Sequence, residues 1–100
     1  MKKVEITPSD LSPDSSIKIS GSKSESNRVL ILNSIFKNIK ISNLSDSDDT
    51  VVLKNALENL HKSIDIHHAG TAMRFLTAYL STLDGGKFIL TGSKRMKERP

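Results

Sequence analysis

Cysteine and tryptophan are absent from this 100-residue sequence, proline occurs 3 times, and the aromatic side chains are limited to Phe36, Phe75, Tyr79 and Phe88. Lack of cysteine excludes disulfides, thiolate metal centres and a cysteine nucleophile, and suits a reducing compartment, so the expected location is the cytoplasm. Each of the few aromatic residues falls at an apolar position of a predicted element. That argues against a base-stacking platform, and nucleic acid is not an expected partner. No apolar stretch approaches the length of a membrane span, and Glu5, Pro8 and Asp10 interrupt the N-terminal region that follows Lys2 and Lys3. No membrane partner is expected either.

What the chain does contain is a modest core and a small basic excess. Hydrophobic residues make up 36% of it, enough for one domain. The 15 Lys and Arg against 11 Asp and Glu give a formal charge of +4, which favours anionic partners without choosing among them.

Periodicity predicts alternating strands and helices. Val4 and Ile6, then Ile17 and Ile19, alternate with polar residues as in short half-buried strands, separated by the turn formers of Pro8 to Asp14. Ser22 and Glu25 have capping-box spacing, and the apolar residues that follow predict a mostly buried helix from about Lys23 to Lys37. Ile39 and Ile41 suggest another strand, after which residues 45 to 50 offer several N-caps for a second helix. Its apolar stripe is Leu53, Ala56, Leu57 and Leu60. Ile64 and Ile66 predict a strand, Gly70 and Thr71 open a third helix carrying Leu76, Tyr79, Leu80 and Leu83, and residues 87 to 91 read as the last strand. Such alternation argues for a mixed α/β fold with some parallel pairing, each helix serving as a crossover.

The chemistry lies at the helix entrances. Unpaired N–H groups and the peptide dipoles favour anions there. Lys23, Ser24 and Arg28 lie early in the first helix, with Ser24 and Arg28 on one face, where a guanidinium and a hydroxyl could clamp a carboxylate. A solvated basic helix start with an ordinary serine cap is the plainer reading of the same residues. The string around Lys23 is not a nucleotide-binding P-loop, because Ser22 separates Gly21 from Lys23 and position 16 is serine. Asp46, Asp48 and Asp49 fit helix capping better than magnesium binding. His67 and His68 are adjacent, so they cannot readily share a metal, and no metal site is expected.

Taken together, Gly21-Ser22-Lys23-Ser24 with Ser26-Asn27-Arg28, the run from Asn43 to Thr50, Ala69-Gly70-Thr71-Ala72-Met73-Arg74, Leu90-Thr91-Gly92 and Arg95-Met96-Lys97-Glu98-Arg99-Pro100 resemble the N-terminal part of the EPSP synthases, the 3-phosphoshikimate 1-carboxyvinyltransferases. The resemblance implies a shikimate-pathway enzyme that moves the enolpyruvyl group of phosphoenolpyruvate onto the 5-hydroxyl of shikimate 3-phosphate, without metal or organic cofactor. It also implies an inside-out α/β barrel built from βαβαββ units. Residues 1–20 would then be leading strands and loop, and residues 21–100 one βαβαββ-like unit of an incomplete domain.

By the same resemblance Lys23, Ser24 and Arg28 bind shikimate 3-phosphate, and Lys23, Gly70 and Arg99 bind phosphoenolpyruvate. The family's proton-transfer residues come from later sequence, so none of the residues here is expected to be catalytic and the chain alone is expected to be inactive. His68 and Phe75 depart from the family's usual Asn and Pro. A full-length parent is expected to be a monomer, while this chain is expected to self-associate through uncovered apolar surface. The competing reading is a stand-alone module on the same scaffold that binds anionic metabolites or nucleic acid.

Overall fold

A computed structural model describes residues 2–100. Its elements run α1 (Lys23–Phe36), α2 (Asp48–Glu58), β1 (Ser63–Asp65), α3 (Gly70–Ser81), β2 (Ile89–Thr91) and α4 (Lys94–Lys97). The fold is mixed α/β, as expected. Strands β1 and β2 pair in parallel, with Ile64 opposite Leu90, and α3 forms the crossover between them.

Serine side chains start three of the four helices. Ser22 Oγ accepts the Glu25 N–H at the head of α1, Ser47 Oγ accepts that of Thr50 at α2, and Ser93 Oγ accepts that of Met96 at α4. Each bond satisfies a donor that the helix itself leaves unpaired. Helix α1 stops where Lys37 turns left-handed at φ 61° and returns its N–H to Asn33.

The core is one-sided. Leu53 and Ala56 of α2, Ile64 of β1, Ile66 and Ala69 of the following turn, and Ala72, Leu76 and Leu80 of α3 bury together, and α1 adds only Leu30 to them. Helix α1 is therefore not the mostly buried helix that its apolar run predicts. Leu32, Ile35 and Phe36 remain 44%, 54% and 64% exposed, because α2 and α3 cover one side of α1 and nothing among the described residues covers the other.

The expected strands at Val4/Ile6, Ile17/Ile19 and Ile39/Ile41 do not form, and residues 2–20 contain no helix or strand. Alternation makes a segment fit for a sheet, but a strand exists only where a neighbour completes its hydrogen bonds. No such neighbour is present among the described residues, and Val4, Ile6, Ile17 and Ile19 are each at least 74% exposed. The extended N-terminal segment also raises the radius of gyration to 17.5 Å, against about 13 Å for a compact chain of this length.

One contact fixes where that segment joins the folded part. A Cβ on Gly21 would collide with the Asn43 carbonyl, so only glycine lets the chain pass there. Ser20 Oγ then accepts the Asp46 N–H at 2.9 Å and Ser26 Oγ accepts the Ser45 N–H at 2.9 Å. These bonds bring the start of α1 against the start of α2.

Candidate anion-binding site

Three helices begin at one pocket. Lys23, Asp48 and Gly70, the first residues of α1, α2 and α3, all line a cavity of about 420 Å³, together with Asp49, His68, Thr71, Arg74 and Arg99. Aligned peptide dipoles make each helix start electropositive, so the pocket carries partial positive charge before any side chain is counted. Acids stand at two of these starts, Glu25 on α1 and Asp48 and Asp49 on α2. Helix α3 has neither an acidic residue in its first turn nor a side-chain cap. Its leading N–H groups thus face the pocket without the acceptor that the other helices have.

Buried polar groups hold α1 and α2 in register. Asn27, fully buried, donates from Nδ2 to Asp49 Oδ2 at 2.9 Å and accepts at Oδ1 from Thr50 Oγ1 at 2.8 Å. Ser47 Oγ donates to Thr50 Oγ1 at 3.0 Å, so the cap of α2 joins the same chain of bonds. No buried side-chain nitrogen or oxygen is left without a partner among the described residues. A fully satisfied network of this sort is rigid, which is what a site made from two helix ends requires.

His67 performs the matching task for α3 and α4. It sits in the left-handed region at φ 54°, its N–H held by Asp65 Oδ1 at 2.8 Å, in the turn that carries β1 into α3. Its carbonyl accepts the Ser93 N–H at 2.7 Å, tying the start of α4 to that turn. Gly92 makes this approach possible, since a Cβ there would lie 2.7 Å from the same carbonyl and 2.7 Å from Met96 Cγ. Arg99, just beyond α4, is thereby brought over the start of α3.

At that point two guanidinium groups meet. A Cβ built on Gly70 would lie 3.0 Å from Arg99 Nη1 and 3.6 Å from Arg74 Nη2. Among the described residues the ion pair is Lys54 with Glu58 at 3.9 Å, and His67 Nδ1 lies 3.8 Å from Asp65 Oδ2; both contacts are on the surface. Among the described residues no carboxylate lies within 4.0 Å of the Lys23, Arg74 or Arg99 cations. Convergent cations that are not paired with the Asp48 and Asp49 carboxylates of the same pocket, above a helix start without a cap, suit a bound oxyanion.

Of the residues expected to bind substrate, Lys23, Gly70 and Arg99 come together here. Ser24 and Arg28 do not line this pocket. Arg28 borders a separate apolar cleft of about 490 Å³ between α1 and α3, with Ile31, Leu32, Ile35, Phe75 and Tyr79, and Ser24 is exposed on α1. Arg74 was not singled out as a ligand from sequence, although its position four residues after Gly70 on one helical face was the available signal. Phe75 packs against the core as expected. His67 is a backbone tie, whereas His68 lines the pocket. No group of three potential metal ligands occurs among the described residues.

An α/β chain whose helix starts and arginines converge on one pocket has the geometry and charge that suit a small anion. Sequence comparison shows which family it resembles. A family model described as EPSP synthase (3-phosphoshikimate 1-carboxyvinyltransferase) matches residues 59–100. A 3-phosphoshikimate 1-carboxyvinyltransferase of Bacteroides fragilis is 53% identical over 85 residues, covering 84% of this chain and 20% of that protein. The enzyme of the same name from Aliivibrio fischeri is 38% identical over 114 residues, covering 87% of this chain and 26% of that protein. The pentafunctional AROM polypeptide of Schizosaccharomyces japonicus is 35% identical over 128 residues, covering 97% of this chain and 8% of that protein. No solved structure matches. Over most of its length the chain is similar to the EPSP synthases, and it spans about a fifth to three tenths of the length of the single-enzyme relatives.

Proposed function

We propose that this chain supplies part of the substrate site of an enzyme that transfers the enolpyruvyl group of phosphoenolpyruvate to the 5-hydroxyl of shikimate 3-phosphate with release of phosphate. The observation that carries the reading is the convergence of Lys23, Gly70 and Arg99 on a pocket formed by three helix starts. Phosphoenolpyruvate bears both a carboxylate and a phosphate, and fixed cations around it favour departure of the phosphate in the transition state. Lys23, at the head of α1, lines this pocket and precedes Ser24 in the chain, so in this reading it joins the pocket to the face that carries Ser24 and Arg28. That second face is the proposed seat of the shikimate 3-phosphate carboxylate.

In this reading the chain binds phosphoenolpyruvate weakly and does not turn over by itself, because the proton-transfer groups lie in the part of its relatives that it does not span. The site is complete as a cytoplasmic monomer of full relative length, and no metal or organic cofactor takes part. NMR titration of the 100-residue chain with phosphoenolpyruvate tests the first half of the proposal. Shifts confined to residues around Lys23, Gly70 and Arg99, lost in Arg99→Ala and retained in Lys54→Ala, are the expected result. Salt-dependent binding of random single-stranded DNA, with no response to phosphoenolpyruvate or shikimate 3-phosphate, would replace it with a nucleic-acid module. Steady release of inorganic phosphate by the chain alone from the two substrates would overturn the expected inactivity.

A further inference from the structure

We infer that Arg74 is a second guanidinium ligand of the pocket, sharing with Arg99 one doubly charged phosphate or phosphonate group seated over Gly70. The inference rests on the pocket being the anion site proposed above and adds a residue to it. Arg74 lies one turn into α3, and helical side chains lean toward the N-terminus. Its Nε donates to the Gly70 carbonyl at 3.3 Å, which folds the side chain back along the helix. That bond uses one of five donors and leaves both terminal nitrogens free at the helix start.

Arg99 reaches the same place from the far side. Its Nη1 lies 3.0 Å, and Arg74 Nη2 3.6 Å, from the position that a Cβ on Gly70 would take, so the two guanidinium groups flank the same side of Gly70, close enough for different oxygens of one phosphate to meet both. Two like charges held this close, each without a carboxylate partner, repel one another until a counter-ion arrives. A dianion neutralises both, whereas a carboxylate leaves one positive charge over. The remaining oxygens of a phosphate would face the uncapped N–H groups of α3. The arrangement therefore selects for charge of two on one group, and Arg74 is the residue that raises the requirement from one to two.

The test is a titration of the 100-residue chain and its variants with phosphoenolpyruvate, inorganic phosphate and pyruvate, the last having the carboxylate but no phosphate. The expected result is that phosphoenolpyruvate and inorganic phosphate bind and pyruvate binds far more weakly. Arg74→Ala should weaken phosphoenolpyruvate and phosphate by about tenfold or more while leaving the melting temperature unchanged, since the side chain is exposed. Arg74→Lys should recover only part of this, because an ammonium lacks the planar fork. Affinity of the unsubstituted chain for phosphoenolpyruvate should fall as pH drops through the second phosphate ionisation, about pH 6, with a shallower dependence in Arg74→Ala. A purely structural arginine would not change that slope. Full phosphate affinity in Arg74→Ala, with loss in Arg99→Ala, sinks the inference and leaves the proposed function standing. Equal affinity for pyruvate and phosphate also sinks it. Failure of the unsubstituted chain to bind any of the three anions removes both.

Discussion

Asn27→Ala should be among the most damaging substitutions of a polar residue in this chain. The side chain has 0% exposure and makes two side-chain bonds, one to the Asp49 carboxylate and one from the Thr50 hydroxyl. Loss of a bond to a charged group costs about 1.5–3 kcal/mol and of a neutral one about 0.5–1.5 kcal/mol. Asp49 is half-buried and can recover part of its loss from water, which places the total at about 2–4 kcal/mol. For a domain of this size that lowers the melting temperature by about 10–25 °C. Urea denaturation followed by helical circular dichroism measures the effect directly. Thr50→Val removes the other partner, and the double variant should cost less than the two single changes added together, by about 1 kcal/mol, because neither group is then left buried and unpaired. Phosphoenolpyruvate binding should weaken in parallel, since the same bonds set Lys23 beside Asp48 and Gly70. A cost below about 0.5 kcal/mol for Asn27→Ala, or strict additivity in the cycle, would refute the idea that this network holds the two helix starts together.

Gly92→Val should lower stability by about 1–3 kcal/mol and weaken phosphoenolpyruvate binding, because the His67 carbonyl it meets is fixed by the Ser93 N–H. Gly85→Asn is its control: φ there is 69°, which asparagine tolerates, and the space around it is open, so thermal melting should be nearly unchanged. Leu76→Ala removes a fully buried side chain from a core of nine buried apolar residues and should cost about 2–5 kcal/mol, enough to leave much of the chain unfolded at 37 °C by circular dichroism. Sedimentation velocity should show concentration-dependent association through the exposed face of α1, reduced in the double variant Leu32→Glu with Ile35→Glu; a monomer independent of concentration would contradict this.

Legibility in the sequence followed the range of the interaction. Helices α1, α2 and α3 could be read because the information that starts and stops them is local: Ser22 and Ser47 cap within three residues, and the spacing of Leu53, Ala56 and Leu57 or of Leu76 and Leu80 marks the buried side. Helix α4 is not legible in this way because four residues hold too little periodicity, although Ser93 carries the same capping signal. The strand pattern of Val4/Ile6, Ile17/Ile19 and Ile39/Ile41 is equally local, but a strand depends on a partner at a distance, and only residues 63–65 and 89–91 have one. Sequence also could not show that the exposed flank of α1 would lack cover.

The pocket divides along the same line. Lys23, Gly70 and Arg99 were recognised through the strings that contain them, yet what gathers those strings is a set of contacts no string displays. Asn27 links residues 22 and 23 positions further along the chain, and the His67 carbonyl meets the Ser93 N–H across the crossover. Arg74 escaped notice for the opposite reason. Its relation to Gly70 is one helical turn, but its significance comes from Arg99 arriving over the same point after a detour through β2 and α4. The one-sided core and the closely tied pocket are consistent in this respect: polar bonds between loops need only the groups they join, whereas the apolar face of α1 needs a surface that the described residues do not supply. Polar bonds of this kind can thus hold the pocket in place where one face of the hydrophobic core is open, and the proposed anion binding should depend on those bonds rather than on cover for α1.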